Sequence, residues 1–289
     1  MQNLNIQNLI LAGVHFGHEL KKWNPKMKNF VYKQQDGIHI IDLNKTLVYA
    51  KRAMAFLEET CSKGGQVVFV GTKDQASSSV QEAAEKSNQF YVTKRWLGGT
   101  LTNFETLKIS IDRMKKIQKI KERFEMDHYS KKEKSRIEKE YKKMEENLKG
   151  IKDMKDLPAA LFIVDIQKEK IALGEAKKLG IPVVALVDTN CDPYLLEYPI
   201  PSNDDSFRSI QFFSNLASEA CLKGWKTWQS DMHKEQHLEQ KKTDKKQSSD
   251  EGPQVLNVSR GRRLVAAGTA EDMEIELELK KEEDEPKEK

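Results

Sequence analysis

Three cysteines in 289 residues, Cys61, Cys191 and Cys221, give a disulfide framework little to work with. They lie far apart and form no Cys-x-x-Cys pair, so neither a disulfide scaffold nor a thiolate zinc site is expected. Buried thiols in a reducing compartment are the simpler reading. No apolar run approaches the roughly 20 residues of a membrane span. The opening MQNLNIQNLILAGV has no cationic start and too short an apolar run for a secretion signal. Nucleotide-binding signatures are missing too. There is no Gly-x-Gly-x-x-Gly, and Gly71-Thr72-Lys73 lacks the glycine-rich cradle of a P-loop. These absences point to an intracellular soluble protein, and an enzyme that hydrolyses nucleotides loses its main support.

Charge is plentiful. One third of the residues (33%) are charged, and the mean hydropathy is −0.70. The net charge of +4 hides an asymmetry: residues 229–289 carry 12 Lys+Arg and 16 Asp+Glu, so 37 and 29 remain for residues 1–228, a net +8. A basic body suits a polyanionic partner such as nucleic acid. From Gln229 the Lys, Glu, Gln, Ser and Asp content reads as a disordered tail. It contains a basic-apolar island at 255–268 and an acidic end at 271–289.

Two stretches carry the binding chemistry. Tyr91–Glu105, YVTKRWLGGTLTNFE, sets Lys94, Arg95 and Trp96 against Gly98-Gly99, followed by Thr100, Thr102 and Asn103. Paired glycines allow close backbone approach or a positive φ. The guanidinium and indole beside them offer a phosphate fork and a stacking face. The competing reading is a tight loop in which Trp96 and Leu97 plug a core and Arg95 is merely solvated. The second stretch, Lys21–Lys33, holds five lysines and no acid, interleaved with Trp23, Phe30 and Tyr32 around Asn24-Pro25. Unpaired cations of this kind repel one another until an anion arrives.

The remaining chain alternates strand and helix patterns. Buried strands are expected at Gln66–Val70, Ala159–Val164 and Val183–Val187, with short ones at Ile38–Ile41 and Phe90–Val92. Helices are expected over residues 42–59, 74–86, 168–179 and 206–223, and the Pro199–Pro201 segment reads as a loop. Between the halves, two charged amphipathic helices form a hairpin over 104–150, the second opened by a Ser130/Glu133 capping box. Residues 115–149 carry 13 basic and 8 acidic side chains, which tilts the hairpin toward an anionic neighbour. Such alternation implies a parallel sheet with right-handed crossovers. Asp165 and Asp188 then fall at strand ends, where open α/β sheets bind ligands, and with Asp204 they offer an alternative: a nucleotide- or metal-binding enzyme. His15 and His18, spaced for one helical face, are more simply structural than metal-binding.

Seven ordered segments together resemble one family, the bacterial-type small-subunit ribosomal protein S-two. They are AGVHFGHELKKWNPKMKNFVY (12–32), IHIIDLNKT (38–46), VVFVGTKDQAS (67–77), KRWLGGTLTNFETLKISIDRM (94–114), GIKDMKDLPAALFIVD (150–165), KLGIPVVALVDTNCDP (178–193) and IPSNDDSFRSI (200–210). The resemblance implies a flavodoxin-like three-layer α/β/α sandwich with a parallel sheet and an inserted helical hairpin. The domain plan is 1–103 and 151–228 for the two parts of the α/β domain, 104–150 for the hairpin and 229–289 for the tail. It also implies a non-enzymatic structural constituent of the cytoplasmic ribosome, binding small-subunit ribosomal RNA between head and body. Its expected partners are other small-subunit proteins, notably the large mRNA-binding protein S-one, with no membrane, small-molecule substrate, cofactor or metal. The expected RNA-contacting set is Lys21, Lys22, Trp23, Asn24, Lys26, Lys28, Lys73, Lys94, Arg95, Trp96, Gly98, Gly99, Thr102 and Asn103.

Overall fold

The computed structural model describes residues 4–122 and 130–247, with the side chains of the last helix described as far as Met232. The chain divides into two units, Met1–His237 and Leu238–Lys289, and only residues 238–247 of the second are described.

The first unit opens with a short helix, α1 (Ile6–Leu11), whose first turn is capped by the Asn5 side chain. A small antiparallel sheet follows: β1 (Phe16–Glu19), β2 (Val31–Gln35) and β3 (Ile38–Ile41), in the order β1-β3-β2. Only β3 of these strands was expected. Asp36 and Gly37, with φ of 51° and 79°, make the tight turn joining β2 to β3, the conformation that Asp-Gly favours between hairpin strands.

The main sheet has five parallel strands: β4 (Val67–Val70), β5 (Phe90–Val92), β6 (Ala160–Val164), β7 (Val183–Val187) and β8 (Tyr198–Pro201), ordered β5-β4-β6-β7-β8. Counted from β4, that is the 2-1-3-4-5 order of flavodoxin-like folds. Every residue of β4, β6 and β7 is buried, as continuous β-branched runs predict for strands covered on both faces. Helices α2 (Leu43–Ser62), α3 (Asp74–Lys86) and α7 (Phe207–Gln247) contribute to the core on one face, which includes Val67, Phe69, Phe162 and Leu186. On the other face, α4 (Phe104–Glu122) and α6 (Lys170–Leu179) meet Val68, Val70, Ile163 and Ala185. The layers alternate residue by residue, because successive strand side chains point to opposite faces. Phe69 and Phe162 touch across neighbouring strands with ring centroids 5.2 Å apart, and burial of each contributes about 1.5–3 kcal/mol. The fold is therefore an α/β/α sandwich of flavodoxin-like order.

Between β5 and β6 the crossover carries α4 and α5 (Lys131–Leu148), the inserted hairpin. Ser130 caps α5 through the reciprocal bonds with Glu133 that its sequence predicts. The turn residues Asp127 and His128, and Phe124 on the first helix, lie outside the described residues.

Two expectations are corrected. The Pro199–Pro201 segment is not a loop but β8, paired among the described residues to β7 alone. Proline lacks an N–H, and a sheet edge is where a strand tolerates that loss. The last helix does not stop near Lys223 but continues to Gln247, so 229–247, assigned to a disordered tail, is helical. Lys, Glu and Gln are strong helix formers, and solvation suits a polar helix as well as a tail. The island at 255–268 and the acidic end lie outside the described residues.

Candidate nucleic-acid interface

The lysine stretch is shaped by what it buries. Two 3-10 turns, Leu20–Lys22 and Pro25–Phe30, turn Met27 and Phe30 into the core and leave Lys21, Lys22, Lys26 and Lys28 exposed. Asn24 accepts from the Lys26 N–H at 3.0 Å, and its own N–H donates to the Thr189 carbonyl at 2.9 Å. That bond ties the loop to the carboxyl end of β7. Gly17 allows the approach: a Cβ there would lie 2.6 Å from Thr189 Cγ2 and 3.0 Å from the His39 carbonyl oxygen. Trp23 is half-buried and stacks on His39, centroids 5.3 Å apart. Lys26 pairs with Asp192 at 2.5 Å and holds that carboxyl below its usual range. It is therefore partly neutralised, whereas no ion pair forms at Lys21, Lys22 or Lys28 among the described residues.

Lys94 and Arg95 stand exposed just past β5. The residues after them turn inward. Trp96 is buried and its indole N–H donates to Glu175 at 3.3 Å. The N–H groups of Gly99 (2.7 Å), Leu101 (2.9 Å) and Thr102 (3.1 Å) converge on the same carboxylate, joined by the Thr102 hydroxyl. Burial works to raise the Glu175 pKa, but these donors outweigh it and hold the carboxyl below its usual value. The glycine loop is thus an anion nest, and the anion it holds is the chain's own Glu175 on α6. Trp96 offers no stacking face, which corrects that part of the first reading, while Lys94 and Arg95 stay exposed. Asn103 accepts from the Thr106 hydroxyl at 2.8 Å, at the start of α4.

Gly99 has φ +90°, and a Cβ there would sit 3.2 Å from that of Asn103; Gly98 has no atom within 4 Å of its own. Gly99→Val should therefore cost about 1–2 kcal/mol of stability from backbone strain. Gly98→Val should leave the melting temperature nearly unchanged. Thermal melts of both variants check this, and equal losses would contradict it.

Lys73 also turns inward. Its Nζ lies 3.4 Å from Asp165 Oδ2 and 3.1 Å from Asp204 Oδ1, and it pairs with Asp205 as well. Burial alone would lower its pKa; Asp205 and Asp204 reverse that and hold the ammonium charged well above its ordinary value. Its place in the RNA-contacting set is corrected accordingly. The neighbouring Thr72 gives its N–H (3.0 Å) and its hydroxyl to Glu169. The Lys73–Asp165 pair lies between β4 and β6, the switch point where a flavodoxin-like sheet opens for a ligand. Here the Lys73 ammonium pairs with the Asp165 and Asp204 carboxylates.

The Asp alternative is partly assembled. His18 Nδ1 is 3.0 Å from Asp188 Oδ2 and its Nε2 is 3.3 Å from Asp205 Oδ2. His18 lies on β1 and not on a helix, so His15 and His18 do not share a helical face. One donor atom each from His18, Asp188 and Asp204 falls within 4.8 Å of the others, a nitrogen-oxygen set of the kind zinc accepts. Among the described residues Asp204 Oδ2 has no hydrogen-bond partner, and burial, then Asp188 and Asp165, raise the Asp204 carboxyl to about 7.

Sequence reasoning missed Glu175 and Glu169. Glu175 left a signal, an acid among Ala172, Leu173 and Ala176 on the buried face of α6; Glu169 left none.

A flavodoxin-like scaffold whose strand-end Lys73 pairs internally with Asp165 and Asp204, with lysines displayed on its rim, has the build of a binding and structural module. The profile of the family described as ribosomal protein S2 matches residues 9–224. A small ribosomal subunit protein uS2 of Bdellovibrio bacteriovorus is 48% identical over 302 aligned positions covering 96% of each chain. Its counterpart in Sorangium cellulosum is 49% identical over 76% of this chain and 80% of its own. That of Treponema pallidum is 47% identical over 77% and 76%. The chain belongs to the ribosomal protein S2 family. Its role is that of a structural component of the small ribosomal subunit in translation, and it is not an enzyme.

Proposed function

We propose that the chain holds small-subunit ribosomal RNA at the head-body junction through two groups of cations on one edge of its parallel sheet. One observation carries the reading. Lys94 and Arg95 follow the carboxyl end of β5, and the Lys21–Lys28 loop is bonded to Thr189 just past β7. Because the sheet is parallel, both ends lie on the same edge. The Asp165–Asp188–Asp204 cluster lies on the same edge, past β6, β7 and β8, and phosphate contact falls to the cations beside it. RNA backbones are held by such exposed Lys and Arg side chains, and each phosphate contact adds about 0.7–0.9 to the salt slope of binding.

Lys21, Lys22 and Lys28 replaced together by Gln should lower that slope by roughly 2–3 units. Lys26→Gln alone should change it by much less, because Asp192 already claims that ammonium. Titration of each variant against small-subunit particles lacking this protein, across a salt series, measures both. An unchanged slope in the triple variant would remove this loop from the interface.

We further propose that the chain helps dock the large mRNA-binding protein S-one. Support comes from the family resemblance and from an apolar surface on the first unit: Tyr32 is 70% exposed, and Ile6 and Ile10 line the same hollow. Contiguous exposed apolar surface of this kind suits a protein neighbour.

A further inference from the structure

The segment that carries the chain from β7 to β8 presents an aromatic side chain that the sequence motifs do not single out. A 3-10 turn, Pro193–Leu195, holds Tyr194 67% exposed, while Pro193 before it is buried and so is Leu196 just after the turn. The backbone is pinned as well. Asp192 caps the turn by accepting the Tyr194 N–H at 3.1 Å, and the Leu196 N–H donates to the Pro193 carbonyl at 3.3 Å. The Tyr194 hydroxyl accepts from the Asn29 side chain at 3.4 Å. Tyrosine has only two side-chain torsions, so a fixed stem holds its face open at little entropic cost. The surroundings are cationic. Asn29 belongs to the lysine loop, Lys26 of that loop pairs with Asp192, and Lys177 adds its charge at the same carboxylate. The aromatics within the lysine and glycine stretches are engaged elsewhere: Phe30 and Trp96 are buried, and Trp23 stacks on His39. Tyr194 pairs with no other ring among the described residues.

We propose that Tyr194 is a stacking platform for one unpaired base of the small-subunit RNA whose backbone lies on the neighbouring lysines. The proposal rests on the reading of the lysine loop as a phosphate-binding surface. Single-stranded RNA is recognised through bases splayed out onto aromatic faces, with cations alongside to hold the flanking phosphates. A base suits this ring better than a protein does. A protein hot spot packs its aromatic anchor where water is excluded, whereas Tyr194 is bordered by Asn29, Asp192 and Lys26. Leu195, exposed beside it in the turn, is too small a patch to anchor a protein partner. The contact also differs in kind from those of the lysines. Stacking neutralises no phosphate, so it adds affinity without adding salt slope.

The test uses the full chain and small-subunit particles lacking this protein, titrated across a salt series. Tyr194→Leu keeps an apolar side chain and removes the ring; it should weaken binding about 5- to 100-fold, the range of base–aromatic stacking. Its salt slope should stay within about half a unit of the unmodified value. Tyr194→Phe and Tyr194→Trp keep the face and should bind within about threefold of the unmodified chain. All three should melt with it, because the ring is exposed. In a second measurement a benzophenone-bearing amino acid replaces Tyr194, and an adduct on RNA supports the proposal. Tyr194→Leu binding as the unmodified chain does, Phe and Trp variants as weak as Leu, a slope lower by about one unit in Tyr194→Leu, or adducts on protein alone would overturn it. The underlying reading fails separately. If the Lys21/Lys22/Lys28 variant keeps its slope while Tyr194→Leu alone weakens binding, those lysines leave the interface and the stacked base remains. If the lysine variant loses slope while Tyr194→Leu changes nothing, the stack is overturned and the phosphate contacts stand.

Discussion

Glu175→Ala will lower the melting temperature by roughly 10 °C, the equivalent of about 3–5 kcal/mol for a domain of this size. The substitution deletes one carboxylate and strands several donors at once: the N–H groups of Gly99, Leu101 and Thr102 and the indole of Trp96. Each hydrogen bond to a charged acceptor is worth about 1.5–3 kcal/mol, and a buried donor left unpaired adds its desolvation penalty. Water reaching the vacated site limits the total. Glu175→Gln should cost less, about 2 kcal/mol, since the amide oxygen still accepts while its NH2 faces donors. Thermal and denaturant unfolding of both variants supply the numbers. A loss below about 1 kcal/mol for Glu175→Ala would mean that the loop does not depend on this nest.

Lys73→Met is expected to cost about 3–5 kcal/mol at neutral pH, because it leaves Asp204 buried beside Asp165 and Asp188 without its counter-charge. The cost should grow with pH. The folded-state pKa of Asp204 is raised to about 7 by burial first and then by its acidic neighbours, with Lys73 opposing. A raised folded pKa means that the group's contribution to stability is fully present below its unfolded value near 3.9 and is lost as pH rises to about 7. Without Lys73 the rise is unopposed and the loss deepens. Melts of Lys73→Met and the unmodified chain, in chelator-treated buffer at several pH values between 5 and 8, should diverge toward the alkaline end. A constant gap would mean that the ammonium does not neutralise Asp204.

These two side chains also mark the limit of what the sequence makes legible. The parallel sheet was readable because VVFV, ALFIV and VVALV are apolar runs that only a doubly covered strand accommodates. The hairpin was readable from its helical period and from Ser130 with Glu133. Local signals existed but were outweighed at Asp36-Gly37, where polar Lys33–Gln35 conceals β2, and at β8, where two prolines mimic a loop. The long last helix was missed because a Lys- and Glu-rich composition serves helix and tail alike. The glycine loop shows the deeper difficulty. Its chemistry, N–H groups gathered for an anion, was visible in LGGTLT, but whose anion they hold depends on a residue 73 to 79 positions away. Lys73 presents the same problem, since its partners arrive from the ends of other strands only when the sheet closes.

Lys21, Lys22, Lys28, Lys94 and Arg95 are exposed and make no ion pair among the described residues, and the account rests on them. The direct measurement is sedimentation of the tagged full chain from a cell lysate, unmodified and with Lys21, Lys22, Lys28, Lys94 and Arg95 all changed to Gln. The account predicts that the unmodified chain travels with small-subunit particles. The variant, with an unchanged melting temperature, should shift to the top of the gradient as ionic strength is raised. A chain that never enters the particle fraction, or a variant that stays with it at every salt concentration, would contradict it.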